Sequence, residues 1–264
     1  MDPAVPDAVS ALARRLYPEE LELCFHPQCF EAAGHFAGDD AARTRAFLAI
    51  ANDPGFDALW FGRGGYGSCR LAEAVLAGLS PAARDKTYLG YSDAGSLLGV
   101  LYGAGFPRIA HGPMPSDIKR AGGEAAVARA LAFLVEGAPS ALEAGLDERP
   151  AAAFNLTILA HLLGTPFQPD LAGHVLLVEE VSEYLYRLDR DFCQLTSNAH
   201  IRKVAGLRLG RCSDIPPNDP EFGQTEEEIA RHWCRRSGIA YLGRADIGHD
   251  ADNKVVPFGR WRGI

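Results

Sequence analysis

The chain has 264 residues, of which 47% are hydrophobic and 23% charged, a composition typical of a globular protein rather than a disordered one. Its 26 basic and 34 acidic residues give a net charge of −8, and the dispersed Lys and Arg exclude the clustered positive charge of a nucleic-acid-binding surface. Residues 1–12 lack the pattern of a secretory signal, and no stretch approaches the roughly 18 apolar residues of a membrane helix. We therefore expect a cytoplasmic protein without nucleic-acid or membrane partners. Its six scattered cysteines are expected to stay reduced and to bind no metal.

The first half of the chain alternates short apolar strands with helices, the pattern of a parallel sheet with covering helices. In chain order the sequence predicts a helix over 7–16, a strand over 21–25, a helix over 41–52, a strand over 58–62, a helix over 68–79, a strand over 87–90, and helices over 94–102 and 122–135. The strands over 58–62 and 87–90 each run into a turn that contains glycine. We expect both turns at the C-terminal edge of the sheet.

The second half begins after a stretch rich in Gly, Pro and acidic residues over 137–149, which we interpret as a linker. The sequence therefore predicts an N-terminal domain over 1–136 and a C-terminal domain over 150–264. Within the latter we predict a helix over 155–163, a strand over 175–178, a helix over 186–197, a strand over 204–209, a helix over 225–236 and a short closing region that holds His249.

Ser92 stands on the sharp turn between the strand over 87–90 and the next helix. In a strand-to-helix turn of this kind the hydroxyl is exposed above the sheet, and the backbone amide of the next residue, Asp93, is free to stabilise an oxyanion. The alternative is that Ser92 only caps the helix, since serine is a common cap residue. The local sequence leaves both interpretations open.

The turn over 63–67 has glycine at positions 64, 65 and 67. Glycine permits positive φ and a close approach to the backbone. A phosphate-binding P-loop is excluded because no Lys-Ser or Lys-Thr pair follows. A second oxyanion donor beside Ser92 and a plain tight turn remain alternatives.

A serine nucleophile needs a base, usually a histidine that a carboxylate orients. Of the eight histidines, His111 lies on a predicted turn and His249 lies in a polar loop after a short strand, and the residues alone do not choose between them. Glu179 ends an apolar strand and is placed to orient a histidine. The alternative is that Glu179 and Glu180 form the acidic start of the next helix.

Six segments resemble the motifs of the LD-carboxypeptidase family, and they fall in the family's order. They are Arg63-Gly64-Gly65-Tyr66-Gly67 with Arg70-Leu71 (R-G-G-Y-G-x-x-R-L), Gly90-Tyr91-Ser92-Asp93 (G-Y-S-D), His111-Gly112-Pro113-Met114 (H-G-P-M), Asn155-Leu156 with Leu163-Gly164-Thr165-Pro166 (N-L…L-G-T-P), Val178-Glu179-Glu180-Val181 with Glu183, Tyr186, Arg187 and Arg190 (L-E-D-x-x-E…Y-R-x-x-R), and Gly248-His249 with Pro257-Phe258-Gly259 (G-H…P-x-G).

This resemblance implies a catalytic triad of Ser92, Glu179 and His249, with an oxyanion hole from the backbone amides of Gly65 and Asp93. It implies an α/β fold in which an amidotransferase-like, parallel-sheet N-terminal domain bears the serine. A smaller mixed α/β C-terminal domain would bear Glu179 and His249, with the active site between the two.

The implied reaction is hydrolysis of the amide between an L-centre and a C-terminal D-residue, as in murein tetrapeptides during cell-wall recycling. The related microcin-immunity proteins cleave peptidyl or aminoacyl nucleotides. Members act in the cytoplasm without metal or other cofactor, and they are often dimers, so we expect a homodimer. Two other hypotheses stay open, namely an α/β-hydrolase esterase with the same residue order and a degenerate protein that binds without turnover.

The chain departs from the family pattern at three places. Family chains usually open with a strand that ends near A-P-S, and Met1 starts just after it, so we expect the first sheet to lack that strand. The usual G-G-N is Ala153-Phe154-Asn155 here, which we expect to alter the cleft near the site. No closing strand is expected after the P-x-G turn.

Overall fold

The computed structural model describes residues 1–261. The helices are α1 (Val5–Leu16), α2 (Asp40–Ala51), α3 (Ala72–Gly78), α4 (Gly95–Gly103), α5 (Gly123–Glu136), α6 (Leu156–Leu162), α7 (Leu185–Ser197) and α8 (Glu226–Ser237). The strands are β1 (Ala58–Trp60), β2 (Thr87–Gly90), β3 (Ile109–His111), β4 (Ala151–Asn155), β5 (Val175–Val181), β6 (Gly206–Ser213), β7 (Tyr241–Arg244) and β8 (Val256–Pro257). Within the described residues, no helix is long and apolar enough to cross a membrane.

Two four-stranded sheets form the centre of the fold. The first has the order β1-β2-β3-β8, in which β1, β2 and β3 are parallel and β8 is antiparallel to β3. The second has the order β4-β5-β6-β7 and is parallel throughout. The expected α/β class with parallel sheets is thus confirmed. The candidate residues Ser92 and Glu179 lie just after β2 and in the C-terminal half of β5.

The end of the chain returns to the first sheet, because β8 pairs with β3. The predicted linker over 137–149 is also packed, since Ala138, Ala141 and Glu143 within it are buried. The division into domains at this stretch stays a prediction. Because β8 pairs with β3, residues 256–257 complete the sheet whose strand β2 leads to Ser92.

A hydrophobic core runs continuously from one sheet to the other. Phe154 of β4 is fully buried, and its ring lies 5.0 Å from the ring of Phe258, just after β8. A Cβ on Gly99 of α4 would lie 3.1 Å from the ring of Phe154, so the glycine allows helix and strand to pack closely. Phe154, which stands where the family has a glycine, therefore fills the core beneath α4.

The strand predicted over 21–25 is wrong, since the structure assigns no strand there. Its alternating apolar residues Leu21, Leu23 and Phe25 pack against the cluster formed by α1 and α5 instead, without a neighbouring strand. Conversely, the strands β3, β4 and β8 were not predicted. They are short, and the run of three alanines that opens β4 favours helix by intrinsic propensity, so only their sheet neighbours make them strands.

Candidate active site

Ser92 lies directly after the strand β2 on the predicted sharp turn. Its φ of 58° falls in the left-handed region, which costs a non-glycine residue energy and persists only where the surroundings fix it. A short 3₁₀ helix over Ser92–Ala94 leads from this turn into α4. The hydroxyl does not cap the helix, because its hydrogen bond is with His249, where Oγ lies 3.0 Å from Nε2.

Glu179 lies within β5, where a bulge between Val178 and Glu180 interrupts the pairing with β6. The alternative that Glu179 begins a helix is wrong, since α7 starts only at Leu185. The side chain of Glu179 is 0% exposed, and its Oε2 lies 2.7 Å from Nδ1 of His249. In the neutral imidazole, Nδ1–H donates to this carboxylate and leaves Nε2 free to accept the serine proton.

His249 follows β7 in a loop, and its buried side chain contacts Ser92, just after β2, and Glu179 on β5. Burial by itself disfavours the imidazolium, but the charge of Glu179 and its hydrogen bond outweigh burial and raise the pKa of His249 above its usual value. The histidine is therefore a stronger base than a free imidazole. The pairing stabilises the charged form that arises when the histidine takes a proton from Ser92.

His111, the other histidine that the residues left open, lies on the strand β3 rather than on the predicted turn. It is buried, its Nε2 lies 3.3 Å from Oδ1 of Asn253, and burial lowers its pKa to about 4. A histidine held neutral in this way supports the loop after His249, because the same Asn253 oxygen also accepts the amide of Gly248 at 3.2 Å. The structure brings His249, and not His111, to Ser92.

The glycine turn after β1 lies against the serine. A Cβ on Gly64 would stand 2.9 Å from both Cβ and Oγ of Ser92, closer than real side chains approach, so only glycine fits. Gly65 has φ 124°, in the region that favours glycine. The turn is fixed to the serine's own turn because the amide of Ser68 donates to Oδ2 of Asp93 at 2.8 Å. The amides of Gly65 and Asp93 stay the predicted oxyanion donors.

Three arginines that no sequence motif singled out hold the loop that carries His249. Arg120 donates to the backbone carbonyl of His249 itself, and Arg129 donates to the carbonyls of Ala251 and Asn253 at 2.9 and 2.8 Å. Arg211 donates to the carboxylate of Asp250 at 2.8 Å. No local signal could have revealed these contacts, since their partners lie far away in sequence.

Arg120 also joins this loop to the serine. Its Nε donates to Asp117 at 2.9 Å, and the hydroxyl of Tyr91 donates to the same carboxylate oxygen at 2.8 Å. Tyr91 directly precedes Ser92, and its ring lies 4.8 Å from that of His249. One buried carboxylate thus ties the nucleophile's turn to the histidine's loop.

Glu180 follows Glu179 on β5, but its carboxylate holds two elements together and does not contact His249. It accepts hydrogen bonds from the side-chain amide of Asn155 at 2.6 Å and from the backbone amide of Thr157 at 2.9 Å, which holds β5 to the start of α6. Burial first, and then the charge of Glu179, raise the pKa of Glu180. Asn155 also caps α6 by accepting from the amide of Ile158.

This arrangement matches nucleophilic catalysis by a serine that a histidine and a carboxylate activate. Among residues 1–261, no group of three His, Cys, Asp or Glu side chains is placed to hold a metal ion. The Glu179 and His249 side chains come from the half of the chain opposite to Ser92. The serine therefore depends on correct packing of the two sheets.

Comparison with known proteins gives the family. The profile of the LD-carboxypeptidase N-terminal domain matches residues 2–112, and that of the LD-carboxypeptidase C-terminal domain matches residues 152–264. A putative carboxypeptidase of Synechocystis sp. is 32% identical over 90% of this chain and 79% of its own length. The murein tetrapeptide carboxypeptidase of Pseudomonas aeruginosa is 30% identical over 86% of this chain and 78% of its own length.

Solved structures agree in fold. The muramoyltetrapeptide carboxypeptidase of Oxalobacter formigenes is 25% identical, with a TM-score of 0.76 over 98% of this chain and 90% of that one. The microcin C7 self-immunity protein, at 17% identity, has the same fold, with a TM-score of 0.77 over 97% of this chain and 87% of that one. With both domain profiles matched in order, the chain belongs to the LD-carboxypeptidase family of serine-type peptidases.

Proposed function

We propose that this protein hydrolyses the amide bond before a C-terminal D-residue in murein-derived tetrapeptides, with Ser92, His249 and Glu179 as its catalytic triad. The observation that carries the proposal is the continuous hydrogen-bonded chain from Ser92 Oγ through His249 to Glu179, at 3.0 and 2.7 Å. The relatives named for murein tetrapeptide cleavage supply the substrate class.

In the proposed mechanism Ser92 Oγ attacks the carbonyl carbon of the last amide while Nε2 of His249 takes the hydroxyl proton. Glu179 stabilises the imidazolium and holds its tautomer. The amides of Gly65 and Asp93 would hold the oxyanion. The imidazolium then gives its proton to the departing amine of the D-residue. A water molecule, deprotonated by the same histidine, attacks the acyl carbon, the bond to Ser92 Oγ breaks, and the imidazolium returns its proton to that oxygen.

The test is incubation of the purified protein with free and UDP-linked murein tetrapeptide, with released D-alanine as the readout. Wild-type protein should release D-alanine, and Ser92→Ala protein of equal thermal stability should be slower by several orders of magnitude, because triad members act as one unit. Equal release by wild type and Ser92→Ala would refute the triad.

The same assay separates the alternatives. An aminoacyl-sulfamoyl adenosine added in parallel tests the nucleotide-conjugate activity of the microcin-immunity branch, and a simple ester tests the esterase hypothesis. A protein that binds the tetrapeptide but releases nothing would be the degenerate form. We further propose a cytoplasmic location, where recycled peptides are processed, and a homodimer, which light scattering would test.

A further inference from the structure

Arg63 lies at the junction between β1 and the glycine turn, with its side chain exposed. Its Nε donates to the carbonyl of Gly64 at 3.1 Å, and its Nη2 lies 3.6 Å from where a Cβ on Gly65 would stand. Gly64 in turn touches Ser92. Combined with standard backbone dimensions, these contacts place the Nε of Arg63 within roughly 10 Å of the serine hydroxyl. The arginine is thus a neighbour of the nucleophile.

The charge of Arg63 is not neutralised by the protein. Within residues 1–261 it forms no ion pair and no cation–π contact, and its one hydrogen bond uses a backbone carbonyl. The other arginines beside the triad are occupied, since Arg120 is bound to Asp117 and Arg211 is bound to Asp250. Arg63 therefore presents guanidinium N–H groups to solvent, with its Nε within roughly 10 Å of the Ser92 hydroxyl. A guanidinium in this state is suited to bind a carboxylate through two parallel hydrogen bonds.

A carboxypeptidase must accept a free carboxylate beside the amide bond that it cleaves, and a guanidinium is suited to bind it. The residue that leaves after cleavage of the last amide carries a free α-carboxylate, whose carbon lies roughly 3–4 Å from the carbon that the serine attacks. That carboxylate must therefore sit within a few ångströms of Ser92, in a protein of net charge −8 with Glu179 and Glu180 buried behind the site. A positive group there would favour a free chain end over a blocked one.

We propose that Arg63 binds the C-terminal carboxylate of the peptide and makes the enzyme selective for free chain ends over blocked ones. This inference rests on the proposed function, since it assigns the part of the same site that receives the released residue. The binding uses the charge and the fork geometry of the guanidinium. A lysine keeps the charge but loses the paired hydrogen bonds, so it should restore binding only in part.

The experiment compares two substrates, the tetrapeptide acid and the same peptide with a C-terminal carboxamide. Wild-type protein should prefer the acid in kcat/KM. Arg63→Gln should lower kcat/KM for the acid by roughly 10- to 100-fold, which is the effect of a lost charge-assisted pair, and should leave the carboxamide nearly unchanged. Arg63→Lys should lie between the two. Because Arg63 is exposed, thermal stability should not change.

Arg70→Gln is the matched control, since Arg70 follows the same glycine turn and is half exposed, but is already paired with Asp40 at 2.7 Å. It should keep the wild-type preference for the acid. If Arg63→Gln keeps the wild-type ratio of acid to carboxamide, or if Arg70→Gln loses it equally, the inference is overturned while the proposed function stands. Equal wild-type cleavage of acid and carboxamide overturns it in the same way. A wild-type protein that cleaves neither peptide overturns both this inference and the proposed function.

Discussion

Replacement of Glu179 by glutamine tests the electrostatic part of the proposed mechanism. The substitution keeps the shape of the side chain and removes one negative charge from a fully buried position, where water cannot compensate for the loss. An amide in place of the carboxylate also no longer selects the tautomer of His249 that carries its proton on Nδ1. The imidazolium that forms when Ser92 attacks would then lose its hydrogen-bonded counter-charge.

The size of the effect follows from the geometry. With Oε2 and Nδ1 2.7 Å apart, the centres of the two charges lie about 4 Å apart, which at an effective dielectric constant of about 20 gives an attraction of roughly 4 kcal/mol. At about 1.36 kcal/mol per tenfold change in rate, this corresponds to a loss of roughly 10³-fold in kcat. The wrong tautomer adds to the loss, so we expect a decrease of about 10³- to 10⁴-fold.

The pH profile of kcat/KM tests the same carboxylate independently, through the direction in which its acidic limb moves. The proposed base is active when neutral, so kcat/KM rises as the pH rises through the pKa of His249. In the wild type, burial lowers that pKa, but the charge of Glu179 outweighs burial and the pKa is raised. Without that charge burial dominates and the pKa falls. The acidic limb of the profile should therefore move to lower pH in Glu179→Gln, at a much lower plateau.

The assay is D-alanine release from tetrapeptide across pH, with circular dichroism to show that the variant is folded. Glu227→Gln is the control, because Glu227 lies on α8 outside the cleft and pairs with Arg231 there. It should leave both the plateau and the acidic limb in place. A loss of less than tenfold in Glu179→Gln, or an acidic limb that stays or moves to higher pH, would refute the assigned role of this carboxylate.

Three further predictions concern the surroundings of the serine. Gly64→Ala should lower kcat by about 10²-fold, since its Cβ would stand 2.9 Å from Ser92 Oγ and displace the nucleophile, and kinetics on folded protein would check this. Ser92→Gly should be inactive, but its free energy of unfolding should be about 1 kcal/mol higher than that of Ser92→Ala, because glycine relieves the strain at φ 58°. Urea denaturation of both variants measures this difference. Arg120→Ala should lower kcat by about tenfold or more with a smaller change in KM, because the carbonyl of His249 loses its donor. Steady-state kinetics check this, and an equal change in kcat and KM would contradict it.

The sequence by itself was sufficient for the elements with strong local signals. The strand over 87–90 is confirmed residue for residue, and the helix predicted over 41–52 is α2, Asp40–Ala51, which Asp39 caps by accepting the amide of Ala42. The expected place of Ser92, on a sharp turn between that strand and a helix, is also the place that the structure gives it. These features follow from neighbouring residues, because caps and turns are set by backbone hydrogen bonds within a few positions.

Short strands without such signals could not be predicted. The alanines of β4 become a strand only because β5 pairs beside them, and β8 has two residues that gain a sheet by returning to β3. The strand predicted over 21–25 failed for the opposite reason, since its alternating pattern was present but no strand lies beside it. Sheet membership requires a neighbour, and the local sequence does not specify one.

The residues of the candidate site were named from the order of motifs, but only the tertiary structure brings them together. His249 contacts Glu179 from 70 positions away and Ser92 from 157 positions away, and the bare residues had left His111 as an equal candidate. The fold decides between the two histidines because β3 buries His111 against Asn253, whereas the arginine-held loop after β7 delivers His249 to the serine. Local sequence thus determines the turn on which Ser92 stands, and packing of the two sheets determines which base reaches it.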